Sequence, residues 1–153
     1  MELVPSSELT CKKYRIAKRP QTGNHPPMKS NPRQVSVFLV EDETLIRMMI
    51  AGMAEELGHT VVAEAGNIKD ALTLARNANF EIAVLDINVG GERIEPVAEI
   101  VAGRDLPFIF ASGYGAAGAP QKFRDRPILQ KPFSIQRLGK VIEEVFQDGA
   151  RRD

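Results

Sequence analysis

From residue 35 to the end of the chain, short apolar runs alternate with longer segments in which apolar residues recur every three or four positions. Short apolar runs between polar or glycine residues are typical of strands that are buried on both faces of a sheet. The longer spacing is typical of amphipathic helices. The pattern predicts five strands, at residues 35–40, 60–65, 82–86, 107–112 and 128–130. It predicts four helices, at residues 44–57, after the N-cap Asn67, at residues 94–101 and after the N-cap Ser134.

Strands that alternate with helices of this length indicate an α/β fold with a parallel sheet, because each right-handed crossover packs a helix back onto the sheet. Five such strands favour the flavodoxin-like, doubly wound order 2-1-3-4-5. Residues 113–120 are rich in glycine, alanine and proline. Glycine and proline are poor helix formers, so we expect the fourth helix of this fold, which would lie here, to be short or disordered.

The first 34 residues differ in character from the rest of the chain. They carry seven Lys or Arg, two Glu and five Pro, and they show no apolar periodicity. We predict a basic, disordered extension over residues 1–33, a folded domain over residues 34–148 and a tail over residues 149–153. Two alternatives stay open for the extension: weak binding to nucleic acid or another acidic surface, and a natural translation start at Met28.

The composition excludes several classes of protein. Hydrophobic residues make up 43% of the chain and charged residues 26%, which is ordinary for a soluble globular protein. No apolar run approaches the roughly 20 residues of a membrane-spanning helix, and basic residues interrupt the amino terminus where a signal peptide needs an apolar core. We therefore expect a cytoplasmic protein. Cys11 is the only cysteine, so neither an internal disulfide nor a zinc site is expected.

Acidic residues follow the first and third predicted strands. Glu41 and Asp42 come directly after the first strand, and Asp86 ends the third. In the order 2-1-3-4-5 these two strands are neighbours, so the three carboxylates should lie together at one edge of the sheet. They would repel one another unless a cation lay among them. Oxygen ligands of this kind favour Mg²⁺, with Mn²⁺ as an alternative.

The fourth and fifth strands add a hydroxyl and an amine at the same edge. Ser112 ends the fourth strand, and Lys131 follows the fifth. A cation, an amine and a hydroxyl together suit a phosphoryl group, whose transfer depends mainly on positioning and charge neutralisation. Asp86 would then be the nucleophile that forms an aspartyl phosphate. Taken singly, each residue also has an ordinary structural explanation, as a loop cap, a charged helix start or a solvated lysine.

This combination resembles the receiver domain of two-component response regulators, from about residue 35 to residue 146. That family has an acidic pair after the first strand, Asp after the third, Ser or Thr after the fourth and Lys-Pro after the fifth. The resemblance implies that Asp86 is the phosphoacceptor. It also implies that Ser112 binds a phosphoryl oxygen and that Lys131 pairs with the phosphate.

The same resemblance implies a set of metal ligands. Asp42 and Asp86 would bind Mg²⁺ directly, and Glu41 would act through water. The backbone carbonyl of Asn88 would be a further ligand. Asn88 begins the sequence Asn-Val-Gly-Gly, whereas many receivers have Met-Pro and a Gly in this loop.

A narrower resemblance lies in residues 107–115, where the sequence PFIFASGYG is similar to the signature of the FAT GUY group of single-domain receivers. Many receivers carry Tyr or Phe in the fifth strand, and in them this ring couples phosphorylation to the output face. Ile128 takes that place here. We therefore expect the usual switch to differ, with Tyr114 and Ile128 as the candidate switch residues.

The resemblance implies a stand-alone receiver that accepts a phosphoryl group from a histidine kinase or a histidine phosphotransfer protein. No DNA-binding domain is expected after the last helix, so the output would be contact with a downstream protein, a phosphate relay or a phosphate sink. No turnover of an external substrate is expected. Exposed Arg47 and Glu55 on the first helix are the side chains that we expect to face a kinase.

Three alternatives belong to other classes. A haloacid-dehalogenase-like phosphatase would need Asp-x-Asp after its first strand, and the sequence Glu-Asp-Glu at residues 41–43 does not supply it. A phosphorylation-independent adaptor with a vestigial pocket would bind its partner unchanged after Asp86→Asn. Residues 113–118 match the dinucleotide-binding pattern, but Pro120 leaves no room for the helix that this pattern requires.

Overall fold

Strands and helices form where the hydrophobic pattern predicts them. A computed structural model describes residues 33–114 and 118–152, so that Cys11 and most of the predicted basic extension lie outside the described residues. In chain order the elements are β1 (Ser36–Val40), α1 (Thr44–Glu56), β2 (Thr60–Ala65), α2 (Ile68–Asn77), β3 (Ile82–Asp86), β4 (Asn88–Val89), β5 (Glu92–Arg93), α3 (Glu95–Gly103), β6 (Phe108–Ser112), a 3₁₀ helix (Gln121–Phe123), β7 (Ile128–Gln130) and α4 (Ile135–Arg152).

Five of the strands form one parallel sheet in the order β2-β1-β3-β6-β7. Since β6 and β7 are the fourth and fifth of the predicted strands, the flavodoxin-like order 2-1-3-4-5 is confirmed. The central pair is β1 and β3, in which Val40 is level with Leu85. The residues that follow them, Glu41 and Asp86, therefore lie side by side at the carboxyl edge of the sheet.

Two layers of helices cover the sheet. Side chains alternate between its faces along each strand, so Phe38 packs with α2 and α3 whereas Val37 packs with α1 and α4. All five residues of β3 are buried between these layers. Burial of one Val, Leu or Ile side chain contributes about 1.5–3 kcal/mol to stability. Asp86 is thus attached to a strand that packing holds firmly on both faces.

A 3₁₀ turn (Gln121–Phe123) lies between β6 and β7, where the fourth helix was predicted to be short. Residues 115–117 of the predicted segment lie outside the described residues. Phe123 anchors this turn. Its ring centroid lies 5.3 Å from that of Phe108 and 6.4 Å from that of Phe110. One buried aromatic ring therefore holds this turn against β6.

A two-stranded hairpin follows Asp86, where the sequence predicted only a loop. Asn88 pairs with Arg93 in antiparallel β4 and β5. The turn consists of Gly90 (φ 59°) and Gly91 (φ 84°). Positive φ at both central residues is the requirement of a type I′ hairpin turn, which glycine meets without steric cost. The Gly-Gly pair was therefore a signal for this hairpin.

The helix ends show where the predicted boundaries hold. Oδ1 of Asn67 accepts the backbone N–H of Asp70 at 2.8 Å, and Oγ of Ser134 accepts that of Arg137 at 3.1 Å. Both are N-cap bonds, as predicted. The last helix continues to Arg152, into the segment 149–153 that was predicted to be a tail. Within residues 33–114 and 118–152, no helix is long and apolar enough to cross a membrane.

Candidate functional site

Three acidic side chains meet at the carboxyl edge of the central strands. Glu41 and Asp42 follow β1, and Asp86 ends β3. One carboxylate oxygen from each of the three lies within 4.8 Å of the other two. Glu41 is only 1% exposed and Asp86 7% exposed. The structure thus brings together the three acids that the sequence singled out, and it places two of them almost out of contact with water.

Lys131 reaches this acidic group from the outer strand of the sheet. Its Nζ lies 2.6 Å from Oε1 of Glu41 and 3.3 Å from Oδ2 of Asp86. The backbone N–H of Lys131 donates to the carbonyl of Ser112 at 2.8 Å, so the backbone of Lys131 is bonded to the end of β6. The peptide bond between Lys131 and Pro132 is cis. The amine therefore lies between two carboxylates, with its shorter contact to Glu41.

Burial and the neighbouring charges shift the pKa values of Asp86 and Lys131. Burial, with a smaller contribution from the neighbouring Glu41, raises the pKa of Asp86 to about 7 against the attraction of Lys131. Burial would lower the pKa of the Lys131 amine, but its bonds to Glu41 and Asp86 raise it above its usual value. The pocket accordingly contains more negative charge than one amine neutralises.

The hairpin after β3 positions the third acid. Oδ2 of Asp42 accepts the backbone N–H of Gly90 at 2.9 Å. Burial would raise the pKa of Asp42, but its hydrogen bonds, chiefly this one from Gly90, outweigh burial and hold the pKa below its usual value. Asn88, the first hairpin residue, has its N–H 3.4 Å from Oδ1 of Asp86. The hairpin, which was not predicted from the sequence, therefore contacts two of the three acids.

Ser112 lies one strand away from Asp86, at the end of β6. Asp86 is level with Ala111, so Ser112 is the next residue along the same edge. Its Oγ is buried and accepts the N–H of Tyr114 at 3.0 Å. A Cβ atom on Gly118 would lie 3.2 Å from this oxygen. The hydroxyl therefore lies close to both Tyr114 and Gly118.

The two candidate switch residues lie outside the acidic pocket. The side chain of Tyr114 is 83% exposed. Ile128 is half-buried, lies level with Phe110 on the neighbouring strand and packs against the core between the sheet and α3. The two residues therefore differ in environment: one ring faces solvent, and one aliphatic side chain belongs to the edge of the core.

Arg47 corrects one expectation from the sequence. It was expected to be exposed on α1 and to face a kinase. Glu55, for which the same was expected, is exposed. Its side chain is instead only 21% exposed, and its Nη1 donates to the backbone carbonyl of Glu41 at 2.7 Å. The signal in the sequence was an Arg one helical turn after an acidic strand end, where it can reach back over the loop.

The donor set fits a hard divalent cation. Glu41, Asp42 and Asp86 offer only oxygen ligands, which are the ligands that Mg²⁺ prefers. Three carboxylates share the single positive charge of Lys131, so the pocket is short of positive charge. A divalent cation would supply that charge. The three acids therefore fit a Mg²⁺ site. With such a cation bound, the pocket and its Lys131 amine would suit a group that carries negative oxygens.

Comparison with known proteins agrees with this geometry. The family model of the response regulator receiver domain matches residues 37–143, more than half of the chain. The transcriptional regulatory protein PdtaR of Mycobacterium tuberculosis is 33% identical over 116 residues, which cover 73% of this chain. The chain spans only 56% of the length of PdtaR.

Solved structures agree as well. The solution structure of SdrG from Sphingomonas melonis Fr1 matches with a TM-score of 0.66 and 39% identity, and it covers 77% of this chain and 99% of SdrG. The BeF3-activated conformation of SdrG matches with a TM-score of 0.61 and 41% identity, covering 70% of this chain and 92% of the other. These relatives are signalling proteins rather than enzymes that turn over an external substrate. The matches confirm the resemblance to CheY-like receivers of two-component systems, and the chain belongs to the response regulator receiver domain family.

Proposed function

We propose that this protein is a cytoplasmic phosphorelay component in which Asp86 accepts a phosphoryl group from a histidine kinase or a histidine phosphotransfer protein. The observation that supports this most strongly is the surroundings of Asp86. Its buried carboxylate lies 3.3 Å from the amine of Lys131 and within 4.8 Å of two further acids, at the edge of the sheet where the family's chemistry takes place.

In the transfer step, an oxygen of Asp86 attacks the phosphorus of a phosphohistidine. The P–N bond breaks, and its electron pair stays on the imidazole nitrogen of the donor. Mg²⁺, bound by Asp42, Asp86 and the carbonyl of Asn88 with Glu41 acting through water, would neutralise charge on the phosphoryl oxygens, and Mn²⁺ would substitute for it. Such transfers depend mainly on positioning and on charge neutralisation.

Two further side chains would bind the phosphoryl group after transfer. Phosphorylation places a charge of about −1.5 to −2 at the acceptor. This charge would attract the Lys131 amine, which already lies 3.3 Å from Asp86, away from Glu41. Ser112 would give up its contact with the N–H of Tyr114 and would instead donate its hydroxyl to a phosphoryl oxygen.

The output of the protein would be contact with other proteins or relay of the phosphoryl group. Movement of Ser112 would reach Tyr114 directly, because the two residues share a hydrogen bond. Tyr114 is exposed, so a partner protein can contact its ring. Ile128 would respond through its packing next to Phe110. A downstream protein partner is therefore part of the proposal, with a relay or a phosphate sink as the other forms of output.

The proposal is tested with acetyl phosphate and Mg²⁺. Intact mass should show one added phosphoryl group on the wild type and none on Asp86→Asn. Asp125→Asn removes an exposed acid that pairs with Arg126 rather than with a residue of the pocket, and it serves as the matched control, which should be modified like the wild type. A wild type that stays unmodified under these conditions would refute the proposal.

A phosphorylation-independent adaptor is the second candidate. The observation that favours it is Ile128, which supplies no aromatic ring to couple the pocket to the surface. Binding of a captured partner should then be equally tight for the wild type and Asp86→Asn. If acetyl phosphate instead changes partner binding in the wild type alone, the adaptor alternative is excluded.

A further inference from the structure

Arg47 contacts the loop that carries the acidic pair from within the first turn of α1. Its Nη1 donates to the backbone carbonyl of Glu41 at 2.7 Å, and its Nε lies 3.4 Å from Oε1 of Glu64 on β2. A hydrogen bond from a charged guanidinium is stronger than one between neutral groups. Arg47 therefore connects the start of α1, the end of β1 and the edge strand β2.

Gly66 makes this path possible. A Cβ atom at Gly66 would lie 2.7 Å from Nη1 of Arg47 and 3.8 Å from the carbonyl oxygen of Glu41. The φ angle of Gly66 is not in the positive region, unlike those of Gly90 and Gly91. Its backbone would accept an L-residue, so the reason for glycine here is the close passage of the Arg47 side chain.

The bond from Arg47 acts on a peptide group next to a metal-binding acid. The carbonyl of Glu41 belongs to the same planar peptide as the N–H of Asp42, so fixing the oxygen fixes the whole plane. On its other side, the N–H of Glu41 donates to the carbonyl of Ala65 at 3.0 Å. The backbone that leads into Asp42 is thus held from β2 and from α1 at once.

We infer that Arg47, passing over Gly66, is a positioning residue that sets the peptide plane between Glu41 and Asp42 so that the Asp42 carboxylate is preorganised for Mg²⁺ beside Asp86. This inference rests on the proposed function, because it assigns a role within the same pocket. It also gives Arg47 a different role from the kinase-facing one that the sequence indicated.

The structure offers a matched control for the loss of such a bond. Nη1 of Arg104 donates to the carbonyl of Ala75 at 2.6 Å, and its Cζ lies 5.1 Å from the ring centroid of Phe80. This guanidinium–carbonyl bond lies at the end of α3, at the amino edge of the sheet. Arg104→Ala therefore removes the same type of interaction far from the acids.

The experiment is a Mg²⁺ titration followed by NMR chemical shifts, with the dissociation constant as the readout, alongside urea unfolding. Arg47→Ala and Gly66→Ala should each raise the dissociation constant about tenfold, as removal of a residue that orients a ligand does. The double variant should bind no more weakly than Arg47→Ala, because the new methyl group occupies space that the guanidinium has left. Arg47→Lys, which keeps a charged donor, should recover part of the affinity. Arg104→Ala should bind Mg²⁺ like the wild type even where it is less stable.

Several outcomes would overturn the inference. Wild-type affinity in Arg47→Ala would do so, as would additive losses in the double variant or an equal loss in Arg104→Ala. If Gly66→Ala does not fold, the comparison of Arg47→Ala with Arg104→Ala decides by itself. A wild type that binds no Mg²⁺ refutes the proposed function as well, whereas a wild type that binds and is phosphorylated while Arg47→Ala matches it refutes the positioning role alone.

Discussion

The amine of Lys131 lies 2.6 Å from Oε1 of Glu41, a residue 90 positions earlier in the chain. Glu41 is 1% exposed, and the Lys131 side chain is 19% exposed, so water screens this pair poorly. The contact links the outer strand β7 to the central strand β1 across the edge that holds Asp86. The lysine is thereby held next to the acceptor by a neighbouring acid, and binding of a phosphoryl group has to compete with that acid.

The first prediction concerns the stability that this pair provides. Lys131→Met leaves Glu41 buried without its counter-charge, which should lower the free energy of unfolding by on the order of 3 kcal/mol at pH 8 without Mg²⁺. Urea unfolding measures the change. Adding Glu41→Gln to this variant should restore most of the loss, because the buried charge is then gone.

Lys122→Met is the control for this prediction. Its amine pairs with Glu99 at 3.0 Å, but both side chains are exposed. Its effect should stay within about 0.5 kcal/mol. Equal losses in Lys131→Met and Lys122→Met would contradict a special contribution of the buried pair.

The second prediction concerns the pH dependence that Asp86 imposes. Its pKa is raised from 3.8 to about 7 in the folded protein, so folding takes up a proton between these values. The stability that this proton contributes is complete below pH 3.8 and is lost as the pH rises through about 7. Relative to the wild type, Asp86→Asn should therefore gain roughly 2–4 kcal/mol as the pH rises through this window.

Urea unfolding of both proteins at pH 5, 6, 7 and 8 without Mg²⁺ gives the difference between their free energies of unfolding. Titrating groups that the two proteins share cancel in this difference. Saturating Mg²⁺ at pH 8 should stabilise the wild type more than Asp86→Asn. A difference that stays constant from pH 5 to pH 8 would show that Asp86 titrates in the folded protein as it does in the unfolded chain.

The third prediction concerns His59, whose Nδ1 accepts the backbone N–H of Val35 at 3.2 Å. This bond requires a neutral ring that carries its proton on Nε2. Burial lowers the pKa of His59 below 6.5, with Glu143 opposing the shift. Because folding lowers the pKa of this base, the stability that the neutral ring contributes is present above pH 6.5 and is lost as the pH falls.

An NMR titration of His59 should show this lowered pKa, and a His25→Asn background leaves its signal as the only histidine signal. His59→Phe should weaken the loss of stability between pH 6.5 and pH 5 when compared with the wild type. Titration of His59 at 6.5 or above would contradict a neutral ring that accepts the Val35 bond.

The fourth prediction concerns the aromatic anchor of the 3₁₀ turn. Phe123 is buried against Phe108 and Phe110, and Arg126 lies with its Cζ 4.3 Å from the Phe108 ring centroid. Phe123→Ala should lower the free energy of unfolding by about 3–5 kcal/mol, the usual cost of removing a buried ring. Phe123→Leu should lose much less, and the exposed neighbour Lys122→Ala should have little effect. Equal stability of Phe123→Ala and Phe123→Leu in urea would show that the ring does not anchor this segment.

Much of the fold was predictable because its determinants are local. An apolar run such as residues 82–86 is buried on both faces wherever the sheet forms, so its end, and with it Asp86, can be located from the sequence. The caps Asn67 and Ser134 bind N–H groups only three residues away. The parallel order of the strands then follows from the alternation of elements, which brings the acids of β1 and β3 to one edge.

The remaining features depend on residues that are far apart in the chain or on backbone geometry. The sequence by itself determined which side chains end the strands or directly follow them: Asp86 and Ser112 end strands, and Glu41 and Lys131 follow them. Only the tertiary structure decided that Lys131 makes its shorter contact to Glu41, since that choice depends on distances across four neighbouring strands, β1, β3, β6 and β7. It also decided that Arg47 lies inward, because the space above Gly66 exists only when β2 and α1 are packed together.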